Sequence, residues 1–520
     1  MFGSGKLSKR IIFRRRDNTK RPADELNPGS DASENISTEI ENSKDYLKCY
    51  FKNSSDLVFG EFEPGSQVKV LIVYIDGLGN TDVLNRDIMH SFIAKAQELD
   101  LQKMVETPEK IRSIISVADV TVRYNYAQVA HEILSGASAI LIDGMAGALI
   151  VNSKLFEKRA VSEPPNEAVV RGPKESFVEN LRTNTSLLRR KIRNNNLVIT
   201  SFELGTQTKT NVAIAYIDGI AKEEVIEKIT TRLRAITTDS ILDAGYIEQL
   251  IEDQKFSLFP TIWNSEKPDV IAGKILEGRV AIFCDGTPHV LTVPTLFIEH
   301  FQVSEDYYVR PYLAFVMRLI RIICFFVAIF LPSFYVALQT FHQEMIPTVL
   351  LVKMSGAMSG IPLPTLAETI LMIFFYEILR ESGTRLPGVI GPAISIVGAL
   401  VVGESAVNAG IVSTTIVIVI ALTAICSFAI PSLNEPIIIL RLIFVLLAAV
   451  LGLFGVICGI FVIMLHIVSL RSFGANYTSP ISPFNISDMK DLLIRFPLGF
   501  MARRPASTSA ANNTRRAGKD

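Results

Sequence analysis

Leu319–Gln339 reads L-I-R-I-I-C-F-F-V-A-I-F-L-P-S-F-Y-V-A-L-Q, and Ile437–Leu470 reads I-I-I-L-R-L-I-F-V-L-L-A-A-V-L-G-L-F-G-V-I-C-G-I-F-V-I-M-L-H-I-V-S-L. Further apolar runs lie between them at Pro387–Val402 and Gly410–Ile430. A soluble core has no need of several such runs. A bilayer whose hydrocarbon core is about 30 Å thick does. Upstream of Val309 the pattern reverses, with dense charge and short apolar runs. The expected fold class is an α/β soluble portion made of two tandem related modules, followed by an all-α polytopic transmembrane bundle.

Composition agrees with that division. The 520 residues carry 52 Lys+Arg and 52 Asp+Glu, and these charges lie almost wholly outside the apolar runs. A zero balance of this kind gives no sign of nucleic-acid binding. The five cysteines form no C-x-x-C pair, and three sit in apolar runs, so they read as small hydrophobes. No cofactor or metal is expected. The basic N-terminus is followed by no apolar stretch, so it does not read as a signal peptide. Residues 17–43 are rich in Asn, Ser, Asp, Glu and Pro, as a disordered leader would be. The expected organisation is leader 1–45, module 46–179, module 180–309, bundle 310–471 and tail 472–520.

The two modules are read from an internal repeat. V-Y-I-D-G ends at Gly77 and A-Y-I-D-G at Gly219, with Asp76 and Asp218 separated by 142 positions (218 − 76). E-I-L-S-G-A-S-A-I-L-I-D-G ends at Gly144 and K-I-L-E-G-R-V-A-I-F-C-D-G at Gly286, and Asp143 and Asp285 again differ by 142 (285 − 143). In each copy a strand (68–75; 212–217) runs through the first Asp-Gly into a helix (82–98; 222–236). The second Asp-Gly reads as a hairpin turn before another strand (145–151; 287–293). Asp-Gly is turn chemistry, because Gly supplies positive φ and Asp bonds its own backbone. No P-loop, dinucleotide fingerprint, HExxH or nucleophile elbow accompanies these pairs, so no enzyme is expected.

In the membrane portion, Pro332 is expected to kink the first span, and Ser355–Pro364 to interrupt the helix. Thr365-x-x-Glu368 has the form of a capping box opening a helix to about Glu381. The basic tail (Arg471, Lys490, Arg495, Arg503, Arg504) and the soluble portion are both expected on the cytoplasmic side, which makes the crossings even in number. Four follow if the 365–381 helix lies in the interface and the last segment spans once, which is the reading adopted. Six follow if that helix crosses and the last segment folds back near Gly455. Three features are candidates for a pore or gate. Ser413, Ile416, Ile420, Thr423 and Ser427 share one helical stripe, which would line a pore or pack between helices. Glu404 is an acid at a junction of apolar runs, either buried and functional or interfacial. Ser355, Gly356, Ser359 and Gly360 form either an unwound gate or a tight turn.

Leu379–Ser413, the continuation to Pro431, Phe330–Leu338 and the tail R-S-F-G-A-N-Y-T-S-P-I-S-P-F with D-M-K-D and R-F-P resemble the A subunits of bacterial spore germinant receptors, the GerA-type spore germination family. Glu404 departs from the Gln expected in many Bacillus-type members. The resemblance implies a multi-pass protein of the spore inner membrane, with both termini on the core side. It implies as partners a transporter-like, germinant-binding B subunit and a C-subunit lipoprotein. It also implies homo-oligomerisation, and a role as an ion channel, or its gate, releasing monovalent cations. A non-conducting membrane scaffold that recruits partners is the alternative.

Overall fold

The computed structural model describes residues 34–64, 68–90, 120–154, 167, 169, 171–385, 398, 401–486, 488–492, 495–497, 501 and 503–509. Most of the expected leader, the later part of the 82–98 helix and most of Pro387–Val402 lie outside these residues. The chain forms two compact units, 1–156 and 157–520.

The first unit opens with α1 (Ile40–Tyr50), which begins inside the stretch assigned to the leader. It continues through β1 (Leu57–Phe62), β2 (Val70–Ile75), a helical segment over residues 81–89, β3 (Val120–Arg123), α2 (Tyr126–Leu134), β4 (Ser138–Ile142) and β5 (Ala148–Val151). The strands form one antiparallel sheet in the order β1-β2-β4-β5-β3. Central strands are apolar at nearly every position because both faces are covered. Leu71, Val73 and Leu141 pack against Leu47 of α1 and Val129 and Ile133 of α2. Ile72, Ile140 and Leu149 pack on the other face against Leu84 and Ile88.

In the second unit α3 (Leu181–Lys191) precedes β6 (Leu197–Leu204), β7 (Thr210–Ile217), α4 (Glu223–Arg234) and α5 (Ala244–Ile251). Then come β8 (Trp263–Ser265), α6 (Pro268–Leu276), β9 (Val280–Cys284) and β10 (Val290–Val293). The sheet order is β6-β7-β9-β10-β8, the order of the first sheet. The Asp-Gly glycines all take positive φ: 82° at Gly77, 78° at Gly219, 87° at Gly144 and 90° at Gly286. The aspartates of the second pair do something the sequence reading missed. Asp143 Oδ1 accepts the N–H of Ile40 at 3.4 Å, and Asp285 Oδ1 accepts that of Leu181 at 2.9 Å. Each carboxylate thus ties a hairpin to the first turn of a distant helix, where an anion offsets unpaired N–H groups.

The bundle comprises α7 (Pro311–Thr340), α8 (Thr348–Met358), α9 (Thr365–Arg385), a helical stretch over 401–408, α10 (Thr414–Phe428) and α11 (Asn434–Ser469). Among the described residues, two helical segments suit a membrane span by length and composition, Pro311–Thr340 and Pro431–Ser469. α7 runs on through Pro332. Ser355 and Gly356 lie in α8, so the break starts only at Ser359, with Gly360 at φ 93°.

The last apolar segment, read from sequence as one long span, is folded back. Gly452 has φ 60° and ψ −145°, which no α-helix allows. A Cβ on Gly459 would lie 2.7 Å from Phe444 Cε1, although 15 residues of straight helix would separate them by about 22 Å. α11 is therefore two antiparallel arms packed through Gly455 and Gly459. Both outer ends return to the second module. Ser432 Oγ donates to the His300 carbonyl at 3.4 Å, and His466 Nε2 lies 3.5 Å from Ser257 Oγ. Gly452 itself abuts Phe341 and His342, beyond the other end of α7.

After α11 the chain makes a small hairpin, Arg471–Ser472 against Ala475–Asn476. Phe473 enters the core formed by Val225, Ile229 and Leu233 of α4 with Ile282 and Leu291. Lys228 and Arg232 lie over its ring, at 5.4 and 4.8 Å from the centroid. Ser472 Oγ donates to the Thr261 carbonyl at 2.6 Å, and Tyr477 OH to that of Pro260 at 2.8 Å.

Candidate functional site: the bundle interior and its junction with the second module

Where the second module meets α7, charged side chains are buried and paired with one another. Arg318 and Asp306 are 1% and 2% exposed, values that charged side chains reach only when paired. Arg318 Nε lies 3.1 Å from Asp306 Oδ2, and its Nη1 bonds Asp491 Oδ1 at 2.9 Å and the Asp491 carbonyl at 2.8 Å. Arg321 grips the same Asp306 carboxylate with both terminal nitrogens, at 2.8 and 2.9 Å. Arg495 donates to the carbonyls of Asp306 and Val309 at 2.6 and 2.8 Å. Tyr307 OH donates to Asp491 Oδ2 at 2.6 Å. Burial raises the Asp491 carboxyl above its ordinary value although Arg318 pulls it down. One knot thus joins the start of α7, the 302–309 turn and the tail.

A second buried network lies in the module itself. Glu299 takes Lys274 on one oxygen and Arg279 on the other. Burial works against the Glu299 carboxylate, but these two cations outweigh it and hold its pKa below the usual range. Lys274 also lies 4.2 Å from the centroid of the Trp263 ring. On the side facing α11, Glu248, Glu252, Glu435, Trp263 and His300 line a cleft of about 380 Å³. Burial, then Glu252, Glu435 and Asp243, push the Glu248 carboxyl up to about 7.

Inside the bundle, α9 and α10 run parallel and are joined at two levels. The Ser413 N–H donates to the Glu368 carboxylate, and Tyr376 OH lies 2.9 Å from Ser427 Oγ. Glu368 therefore caps α10 in place of closing a capping box on its own helix. It is fully buried, with Tyr335 OH 3.5 Å from Ser413 Oγ alongside. Arg441, 1% exposed, reaches Glu377 at 3.4 Å and the Ala328 carbonyl at 3.0 Å.

The expected stripe is turned into the bundle of its own chain: Ser413, Ile416, Ile420, Thr423 and Ser427 are each at most 3% exposed. Thr423 Oγ1 and Ser427 Oγ donate to carbonyls of their own helix. Glu404 points outward from the 401–408 helix. Ser355, Gly356, Ser359 and Gly360 are exposed, and no side chain would touch a Cβ placed on Gly356 or Gly360. Sequence reading missed Arg441, Asp306, Asp491 and the pairing of Arg318, and it gave Glu368 to the cap of its own helix. Its available signal was the presence of ionisable residues within or beside apolar runs. Among the described residues no group of three or more His, Cys, Asp or Glu is placed to hold a metal.

This architecture defines a membrane-associated helical bundle fastened to an α/β module, in a chain whose other unit is an α/β module of the same strand order. Residues 45–507 match the family described as Bacillus/Clostridium GerA spore germination protein, and the chain belongs to that family. It is 42% identical over 472 residues to "Spore germination protein KA" of Bacillus subtilis (strain 168), covering 90% of this chain and 86% of the relative. It is 37% identical over 483 residues to "Spore germination protein B1" of the same organism, covering 92% and 99%. The crystal structure of the N-terminal domain of the A subunit of the Bacillus megaterium spore germinant receptor GerK3 is 33% identical, with a TM-score of 0.40. It spans 51% of this chain and 99% of that one.

Proposed function

We propose that the chain is the A subunit of a spore germinant receptor, converting nutrient sensing into germination as an oligomeric ion channel, or its gate, that releases monovalent cations. It acts in the spore inner membrane with a transporter-like, germinant-binding B subunit and a C-subunit lipoprotein. The observation that carries the reading is the buried knot of Asp306, Arg318, Arg321 and Asp491, which binds the second module, the first span and the tail together. A module fastened in this way can pass a displacement to the bundle.

The contacts also support six crossings, the alternative to the four favoured from sequence. The second module and the tail share one side, the core side in this reading. α7 leaves it, α9 returns to it at the Arg380–Asn434 contact, and the 401–408 helix leads away from it to Ser413. α10 comes back, and α11 goes out and in. The two sheets of equal strand order are read as one duplicated module.

Outward-facing Glu404 suits a contact between copies or a pore wall that only an oligomer completes. The inward stripe favours a second reading, a non-conducting scaffold whose bundle transmits shape alone. Purified protein reconstituted in liposomes, with and without the B and C subunits, separates the two. The channel reading expects cation flux and a ring-shaped particle, with Ile420→Asp or Thr423→Asp changing leak or spontaneous germination. Unaltered germinant-triggered cation release with a charge at each stripe position would sink the pore-and-gate assignment.

A further inference from the structure

In the first unit the chain beyond β5 fills a slot in its own module. Lys154 forms an antiparallel bridge with Gly79, just after the first Asp-Gly turn. Asn80 N–H donates to the Ser153 carbonyl at 2.7 Å, and Ser138 and Ser153 hydroxyls meet at 2.6 Å. The other wall of the slot is Gly136 (φ 92°), where a Cβ would sit 3.5 Å from Lys154 Cγ.

Shifting these wall positions by 142 gives Ala221, Lys222 and Gly278 in the second module. There the chain beyond β10 does not fill the slot. It turns at Pro294 toward the Phe297–Phe301 turn and α7. The occupant is the tail. Ala221 forms the antiparallel bridge with Ser509, and Lys222 Nζ donates to the Ser507 carbonyl at 2.7 Å. Thr508 Oγ1 donates to the Glu277 carbonyl at 3.0 Å. Thr508 and Ser509 are 0% and 3% exposed, as core residues are. A Cβ on Gly278 (φ 94°) would fall 2.8 Å from Ser509 Cα and 2.9 Å from the Thr508 carbonyl, so glycine is required both by backbone angle and by the tail's approach.

We propose that Pro505–Ser509 is a complementing segment, and that the Ala221–Gly278 slot is a binding site for an extended, small-residue peptide whose occupant is this chain's own tail. The first module supplies the equivalent segment from its own strand. The second sends its strand onward to the membrane, so the segment comes from the far end of the bundle. The docked tail therefore closes a loop that contains every membrane helix, and movement of the second arm of α11 is felt in the second module.

The test uses the full chain in detergent with the pair Ala221→Cys and Ser509→Cys. Antiparallel partners lie about 4.5–5.5 Å apart at Cα, within disulfide reach. The expected result is a 221–509 link within one chain, found by peptide mass spectrometry after mild oxidation and absent from either single variant. No link, or a link only between two chains, overturns the assignment. Because the native cysteines add background, a second measurement stands beside it. A chain truncated after Arg503 should bind a synthetic 500–512 peptide saturably. Gly278→Ala should weaken that binding by about tenfold, the effect of some 1.4 kcal/mol, while Gly136→Ala leaves it unchanged. Failure of the truncated chain to bind the peptide overturns the slot.

Discussion

Arg441 Nε donates to the Ala328 carbonyl at 3.0 Å, four residues before Pro332 in α7. Proline has no N–H, so a proline at 332 orphans the carbonyl at 328 within the helix. In a bilayer that acceptor must be satisfied by another element. Arg441 supplies the donor and so locks the first arm of α11 to α7. Pro332→Ala should restore the helix's own bond and make Arg441 less necessary. Arg441→Met should cost about 1–3 kcal/mol in the native background, because it leaves the buried Ala328 carbonyl without its donor while Glu377 keeps Arg380 at 2.8 Å. In the Pro332→Ala background the loss should be smaller by about 1 kcal/mol. A thermal-unfolding cycle over the four proteins reads the coupling, and strict additivity would remove the link between the two residues.

The turn at Gly452 predicts a topology. Single cysteines at Ser432 and Ser469 should react with an impermeant thiol reagent from one side of a sealed vesicle, and one at His342 from the other. Labelling of 432 and 469 from opposite sides would restore the single-span reading. Gly452→Leu places a side chain at φ 60° and against Phe341, so it should destabilise by about 2–4 kcal/mol, combining left-handed strain with overpacking.

The α/β portion was largely legible because a repeat at a constant offset of 142 anticipates two sheets of one strand order. The Asp-Gly turns were legible from local chemistry. The bond from Asp143 to Ile40 was not, since its partners are 103 residues apart. The apolar runs announced apolar helices but not where α11 turns. Gly452, Gly455 and Gly459 look alike in sequence, and only tertiary packing makes one a turn and two a contact surface. The Ser413–Ser427 stripe was correctly placed on one helical face. Whether that face meets a pore or a neighbouring helix is decided by α7 and α9, which a period of 3.6 residues does not encode. Glu368 was assigned to its own helix by a local motif, while its bond goes 45 residues onward.

Glu248 makes stability fall with pH. Its folded pKa of about 7 lies above the ordinary 4.5, so the folded state holds a proton that the unfolded state has released. The contribution is complete below pH 4.5 and is lost as pH climbs through 7. Glu248→Gln removes the charge that Glu252 and Glu435 oppose. The variant should match the native protein's Tm at pH 4.5, exceed it at pH 8, and show a flatter Tm-against-pH curve between. A parallel curve offset at every pH would mean that Glu248 ionises normally.

Asp306 is the point through which the second module, α7 and the tail are joined, so its loss should be felt far from it. Asp306→Asn leaves Arg318, 1% exposed, and Arg321 sharing a neutral amide. Breaking a buried pair in this way costs about 3–5 kcal/mol. Replacing Arg385 by Ala, whose ion pair with Glu381 is 78% and 60% exposed at the side chains, should change stability immeasurably. A merely local role for Asp306 would lower Tm and do nothing more. The knot predicts a second effect, because Arg318 also holds the tail through Asp491 and Leu492. Asp306→Asn should therefore expose the 488–497 segment to limited proteolysis at temperatures where the second module remains folded. Equal protection of that segment in both proteins would confine Asp306 to the end of α7.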